Sequence, residues 1–410
     1  MPLPSWETPL ALAVLLTLPS TVELLLVCCG TVLAALSRDD RASRAIPQAF
    51  GRLIVVVPAH DEASGIAATL SSLLAADPAS SSASIVVVAD NCSDDTAGIA
   101  RAAGVRVIER HSDNHRGKGY ALDFAFRTLL PEAPSAFIVV DADARVSPGF
   151  FEAFQRGFAE GAEALQCAYL LSEGPSRREA LLELAFACFN FLRPLARNRL
   201  GLSCGILGNG FGLRAETLRS VPYSAASIVE DLEYHLDLVS SGKRVNFLPD
   251  TVLRSPMPSR PEAILSQRSR WEGGRLGMAG RLAPRLALQV FFGKWRLLEP
   301  LLELLLLPLG YHAFILMLGL LAAGFVSGTG PVWVACTAVV CLGVTALLAH
   351  LGSAFISGHI GIRHAASLIE VPAYVLWKLL STGRIIGTAR RKAMWIRTDR
   401  DIPPGGGDPE

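Results

Sequence analysis

Phe137-Ile138-Val139-Val140-Asp141-Ala142-Asp143 restricts the fold more than any other stretch of the chain. Four apolar, mostly β-branched residues make a buried strand, and two carboxylates alternate just past its end. In an open α/β sheet, ligands collect at the carboxyl ends of the strands. Two acids placed there repel each other and lose hydration unless a positive group joins them. A hard divalent cation that also holds phosphate oxygens answers both needs. Alone, Asp-x-Asp is an ordinary acidic turn; the residues around it make it more.

Upstream the pattern alternates strand and helix. Leu53–Val57, Ile85–Ala89 and Val105–Ile108 read as strands, and Gly65–Ala75, Thr96–Ala103 and Gly119–Thr128 as helices. This is a βαβαβ half of Rossmann type, which sets the class as α/β. After the first strand comes Pro58-Ala59-His60-Asp61-Glu62, and after the second Asp90-Asn91-Cys92-Ser93-Asp94-Asp95-Thr96. Asp61, Glu62 and Asp90 at successive strand ends can accept hydrogen bonds from a ribose or a base. Ser93 or Asp94 also suits the cap of the Thr96 helix. Arg116-Gly117-Lys118-Gly119 puts two cations in a flexible turn that opens a helix, a place for phosphate oxygens.

Further on, Gly208-Asn209-Gly210-Phe211-Gly212 marks a close backbone approach or a turn before the helix Ala215–Ser220. Val229-Glu230-Asp231-Leu232-Glu233 opens a patterned helix, where an acid also compensates the helix dipole. Gln267-Arg268-Ser269-Arg270-Trp271 gathers an amide, two guanidinium groups and an indole within about one and a half helical turns. Arg is the residue for diphosphate oxygens, and Trp offers a flat face to a sugar ring.

With 51% hydrophobic and only 18% charged residues, the chain is too apolar for an ordinary soluble protein. The surplus lies in the first ~36 and the last ~120 residues. Leu10–Leu36 reads as a membrane helix rather than a signal peptide, because no Lys or Arg precedes it. Arg38, Arg41 and Arg44 follow it, which puts this end in the cytoplasm. Glu23 inside that run is expected to pack against another helix. Leu181–Leu195 is too short and too polar to span, and reads as a core or interfacial helix. Gly273–Arg296 is basic and amphipathic, suited to the cytoplasmic leaflet. Leu304–Ser327 and Val332–Ile356 are each long enough to span, joined by the turn Gly328–Pro331 into a helical hairpin. Ala366–Ile386, with Glu370, Pro372, Lys378 and Arg384, reads as interfacial. The expected order is therefore an N-terminal transmembrane helix over 1–36, a cytoplasmic domain over 50–275 and interfacial helices over 276–303. A transmembrane hairpin over 304–356, a basic cytoplasmic segment over 357–400 and a disordered tail over 401–410 complete it. Eight cysteines without a CxxC pair point to reduced thiols, and a formal charge of +1 gives no reason to expect nucleic acid.

Taken in this order, the motifs resemble the membrane-bound family 2 glycosyltransferases, the group of cellulose, chitin, hyaluronan and poly-N-acetylglucosamine synthases and of ceramide glucosyltransferases. The family pattern is an early Asp, an Asp-x-Asp, a Thr-Glu-Asp and a Gln-x-x-Arg-Trp. It is met here by Asp90, by Asp141 and Asp143, by Glu230 and Asp231, and by Gln267, Arg270 and Trp271. Val229 stands where the pattern has Thr. The resemblance covers roughly Leu53 to Arg275 plus the flanking helices, and it implies a GT-A (Rossmann-like) nucleotide-sugar-binding domain with transmembrane helices. It also implies an inverting transfer from a UDP-sugar. Asp61, Glu62 and Asp90 would hold the uridine, and Asp143 with Asp141 would hold Mg²⁺ or Mn²⁺. Lys118 and Arg270 would neutralise the diphosphate, Asp231 beside Glu230 would be the general base, and Trp271 would stack on the acceptor. The implied partners are a nucleotide sugar, a saccharide or lipid-linked acceptor, the membrane, and a secretion or export subunit. The implied product is an extracellular or cell-envelope polysaccharide; transfer of one sugar to a membrane lipid uses the same motifs.

Overall fold

The computed structural model of the chain describes residues 8–36, 50–76, 83–224, 227–257, 261–325, 330–356 and 359–390. It divides into two compact units. One unit contains Asp39–Ser172, Ser203–Gly277 and Arg384–Glu410. Its frame is an eight-stranded sheet: β1 (Leu53–Ala59), β2 (Ala83–Asp90), β3 (Arg106–Arg110), β4 (Ala136–Val139), β5 (Arg145–Val146), β6 (Ala164–Leu171), β7 (Phe211–Arg214) and β8 (Val245–Ser255). The strand order is β3-β2-β1-β4-β7-β6-β8-β5.

The first four neighbours are parallel, with Val55 opposite both Ile85 and Ile138. Apolar residues fill β1 and β4 because both faces of this half are covered, so an unbroken apolar run is what burial requires. The helices Ile66–Ala76, Thr96–Ala102 and Lys118–Leu129 supply the crossovers. Parallel strands share one carboxyl edge. The residues after β1, β2 and β4 therefore lie along a single rim. Strand β7 runs antiparallel to both β4 and β6, making the sheet mixed. Phe150, Phe154 and Phe158, one face of the helix Phe150–Ala159, seal the core against it, and a side chain at Gly212 would collide with Phe154 and Phe158.

The other unit contains Met1–Arg38, Glu173–Leu202 and Met278–Gly383. Its helix Thr8–Leu36 is long and apolar enough to cross a membrane, as is Pro331–Phe355. The first exposes Leu12, Leu15, Leu33 and Leu36, an arrangement that water penalises and lipid does not. The arm expected over Leu304–Ser327 is broken: Leu298–Leu305 and Leu309–Phe325 meet at 85°. Pro308 causes the break, since it has no N–H to continue the helix and forces Leu307 out of helical geometry. Ser20 Oγ accepts the freed Leu307 N–H at 2.8 Å, and the Pro308 carbonyl starts the next helix by accepting from Tyr311 and His312. The second arm forms as the helix Pro331–Ile356. Leu181–Leu195 falls on the short helices Arg177–Ala187 and Arg193–Arg199 and the π-turn between them. The expected basic flank at Arg38, Arg41 and Arg44, the hairpin turn up to Thr329 and the tail 401–410 lie outside the described residues.

Candidate active site

Two groups of polar side chains gather on the rim. The first lies at the ends of β1 and β2. Asp61 and Asn91 both have φ 52°, a left-handed conformation that a short polar side chain tolerates when local hydrogen bonds hold it. Asp61 Oδ1 accepts from the Ser93 N–H at 2.6 Å, and the Ser93 hydroxyl lies 3.1 Å from each Asp61 oxygen. Burial works to raise the Asp61 carboxyl, but these bonds and His60 outweigh it, and its pKa lies below the ordinary value. The Glu62 N–H donates to Thr96 Oγ1 at 2.8 Å. Asp90, 5% exposed, is clasped by Arg110 at 2.5 Å, and Asn91 Nδ2 donates to the same oxygen at 3.1 Å. Arg110 was not foreseen in the sequence; the signal is a cation ending the strand beside that of Asp90. The N-cap of the Thr96 helix is Asp95 and makes no side-chain cap bond, so the cap expected at Ser93 or Asp94 is at neither. Asp94, one residue further out, accepts the Thr96 N–H at 3.0 Å.

The second group lies beyond β4. The Ala144 N–H donates to the Asp141 carbonyl at 3.1 Å, closing a turn that carries Asp141 and Asp143. Lys118, the first residue of its helix, ion-pairs with Asp141 and donates to the Gly208 carbonyl at 2.6 Å. Glu230 and Asp231 open the helix Glu230–Ser240 and act electrostatically on Lys118. Asp231 Oδ1 accepts the Leu232 N–H at 2.8 Å. Burial and then the neighbouring Asp231 push Glu230 up to about 7, against the pull of Lys118. Asp231 is raised by burial as well, with the Leu232 bond and Lys118 opposing. Burial lowers the Lys118 ammonium, but Asp141 and Glu230 more than restore it, so it stays charged. One ammonium thus faces three carboxylates.

Asp141 and Asp143 both act on the half-buried Tyr169, and hard carboxylate oxygens of this kind would suit Mg²⁺ or Mn²⁺ better than a soft metal. Gln267, Arg270 and Trp271 lie on the helix Pro261–Phe291. A side chain at Gly274, one turn past them, would touch Val229 at 2.9 Å and Ile228 at 3.0 Å. The helix therefore packs on the two residues that precede Glu230. Val229, at the Thr position of the family pattern, uses its methyl groups in that contact, which accounts for an apolar residue there.

The raised pKa of Glu230 predicts a stability effect of definite sign. Folding favours the protonated carboxyl, so Glu230 costs nothing below its unfolded pKa and progressively more as pH rises toward 7. Glu230→Gln should therefore stabilise the protein by about 1–3 kcal/mol at pH 8 and by almost nothing at pH 4. Thermal unfolding at the two pH values checks this; an equal gain at both would contradict it.

A model for glycosyltransferase-like family 2 matches residues 51–274, more than half of the chain. The chain belongs to glycosyltransferase-like family 2 and is a glycosyltransferase. Its fold is that of the GT-A glycosyltransferases. A mannosyltransferase, PcManGT from Pyrobaculum calidifontis, solved with GDP-Man and Mn²⁺, is 17% identical, with a TM-score of 0.53 over 90% of this chain and 99% of that one. S. aureus TarS is 15% identical with a TM-score of 0.38, over 56% of this chain and 64% of that one. Mannosyl-3-phosphoglycerate synthase from Rubrobacter xylanophilus is 17% identical with a TM-score of 0.38, over 54% and 71% of the two chains. No curated protein matches the chain.

Proposed function

We propose that this glycosyltransferase is an inverting, metal-dependent enzyme of the membrane-bound synthase type. It moves a sugar from a UDP-sugar to a saccharide acceptor at the membrane, building an extracellular or cell-envelope polysaccharide through β-linkages. The observation that carries the reading is the cluster of Lys118, Asp141, Glu230 and Asp231 beyond the carboxyl end of β4. Asp61, Glu62 and Asp90 would take the nucleoside. Asp143 and Asp141 would hold Mg²⁺ or Mn²⁺, which when bound neutralises the diphosphate. Lys118 and Arg270 add positive charge where the leaving diphosphate gains negative charge, the largest catalytic contribution expected of the protein itself. Asp231 takes the proton from the acceptor hydroxyl as its oxygen attacks the anomeric carbon and the bond to the diphosphate breaks. One displacement inverts that carbon. Burial raises the Asp231 carboxyl above the ordinary carboxylate value, which makes it a more basic group. Gln267 and Trp271 would face the acceptor. The catalytic domain over 50–275 would sit in the cytoplasm, with the spanning helices in the plasma or inner membrane and an export subunit as a further partner.

A second reading, transfer of one sugar to a membrane lipid, is favoured by the membrane helices. Among the described residues two helices can span and the third candidate is bent by 85°, which is little material for a polymer channel. The deciding experiment incubates membranes holding the protein with Mn²⁺ and radiolabelled UDP-glucose or UDP-N-acetylglucosamine. GDP-mannose is included because the Pyrobaculum enzyme was solved with it. Label in a large, glycosidase-sensitive aqueous product supports the polymer reading, and a single sugar in the organic phase supports the lipid reading. No transfer and no nucleotide release from any donor would overturn both.

A further inference from the structure

We infer that Asn209 is a positioning residue that aims Asp141 and, through its neighbour Gly208, sets the place of Asp231. This rests on the roles given to those two acids above. Asn209 is 1% exposed and uses both ends of its amide. Its Oδ1 accepts the Asp141 N–H at 3.0 Å, and its Nδ2 donates to Ser255 Oγ at 3.2 Å. The Tyr169 phenol hydrogen-bonds both Ser255 and Asn209, in the field of Asp141 and Asp143. Gln166, wholly buried on β6, holds the loop from behind. Its Nε2 donates to the carbonyls of Asn209 at 2.8 Å and Gly210 at 3.2 Å, and its Oε1 accepts the Leu207 N–H at 2.9 Å.

The loop then reaches the other half of the site. Lys118 donates to the Gly208 carbonyl at 2.6 Å, and a Cβ on Gly208 would lie 3.1 Å from Asp231 Oδ2. Gly208 has φ +79°, which only glycine adopts without strain. Two consecutive residues thus serve three groups: Gly208 accepts from the ammonium and lies against the proposed base, and Asn209 holds the acid of the Asp-x-Asp turn. A purely structural loop needs none of these contacts. An apolar residue at 209 would leave the Asp141 N–H unsatisfied and let the carboxylate turn away from the place it must hold.

The test measures Mn²⁺ binding to the full chain in detergent with UDP present, by electron paramagnetic resonance, beside kcat and thermal stability. Asn209→Ala should weaken Mn²⁺ binding by about 10- to 100-fold, the usual loss when a ligand's hydrogen-bonded support is removed. Ser255→Ala, which removes only the outer brace, should give a smaller loss in the same direction, and serves where Asn209→Ala does not fold. Gly208→Ala should lower kcat by more than it weakens Mn²⁺ binding, because its new side chain meets the base directly and reaches Asp141 only through the strained turn. Asp141→Asn separates the two layers of argument. If Asp141→Asn loses Mn²⁺ but Asn209→Ala and Ser255→Ala bind it as the wild type does, the positioning role is overturned alone. If Asp141→Asn itself binds Mn²⁺ normally, the metal assignment fails and the inference falls with it.

Discussion

Asp231→Asn should lower kcat by about 10²- to 10⁴-fold while nucleotide and Mn²⁺ still bind, since a positioned base contributes on that order. Asn preserves the shape of the side chain and removes only the lone-pair charge that takes a proton. The carboxylate stands beside the Gly208 turn, separated in the chain from the Asp61 and Asp90 group at the ends of β1 and β2. Donor binding therefore has no reason to depend on it. Lys118 complicates the comparison in an informative way, because it answers to Asp141, Glu230 and Asp231 together. Removing one negative charge from that set should leave the ammonium more available to the diphosphate, so KM for the donor should hold or fall. Steady-state kinetics beside UDP competition would show it. Equal losses in turnover and donor binding would mean that Asp231 holds the donor and some other group takes the proton.

The site was half legible in the sequence, for reasons the sheet makes clear. Strands β1, β2 and β4 are β-branched runs ending in acids, so each strand and its functional residue are read together. The other half hides. Strand β6 is Ala-Leu-Gln-Cys-Ala-Tyr-Leu-Leu, without a β-branched residue, and β7 is four residues long with a glycine inside. Their strand state comes from pairing and burial rather than from local preference. Gln166 is the one clue in β6, a polar residue in an apolar run, but its partners are backbone atoms more than forty positions away. The Gly-Asn-Gly stretch announced a close approach without saying to what. Only the fold brings Asp231, Lys118 and Asp141 to it. The break at Pro308 is not legible, because Leu304–Ser327 reads as one apolar span. Pro19 and Pro284 lie inside continuous helices, so a proline by itself does not say where a helix ends.

Arg197→Met should be the most destabilising single change in the apolar unit, at about 3–5 kcal/mol. Glu23, on the helix Thr8–Leu36, accepts from Arg193 Nε at 2.7 Å and from Arg197 Nη1 at 2.9 Å. Arg197 Nη2 reaches Glu299 at 2.6 Å, and Arg193 pairs with Glu303. Glu23, Arg193, Arg197 and Glu303 are each at most 5% exposed, so no water can replace a lost partner. A side chain at Gly30 would collide with Ala196, so the same two helices are in tight contact two turns further along. This answers the question raised by an acid within a spanning helix: Glu23 packs against another helix through two guanidinium groups. The set has three acids and two arginines, and that imbalance orders the variants. Removing Arg197 takes one partner from Glu23 and one from Glu299, and leaves a single arginine among three acids. Glu23→Gln leaves each arginine its own glutamate, and should cost clearly less. Arg127→Ala, which breaks an ion pair with Asp123 where the arginine is 75% exposed, should cost under about 1 kcal/mol. Denaturant unfolding of the three variants in one detergent gives the order directly. If Arg197→Met cost no more than Arg127→Ala, the buried ions would be spectators of the helix packing; the geometry requires instead that they hold it.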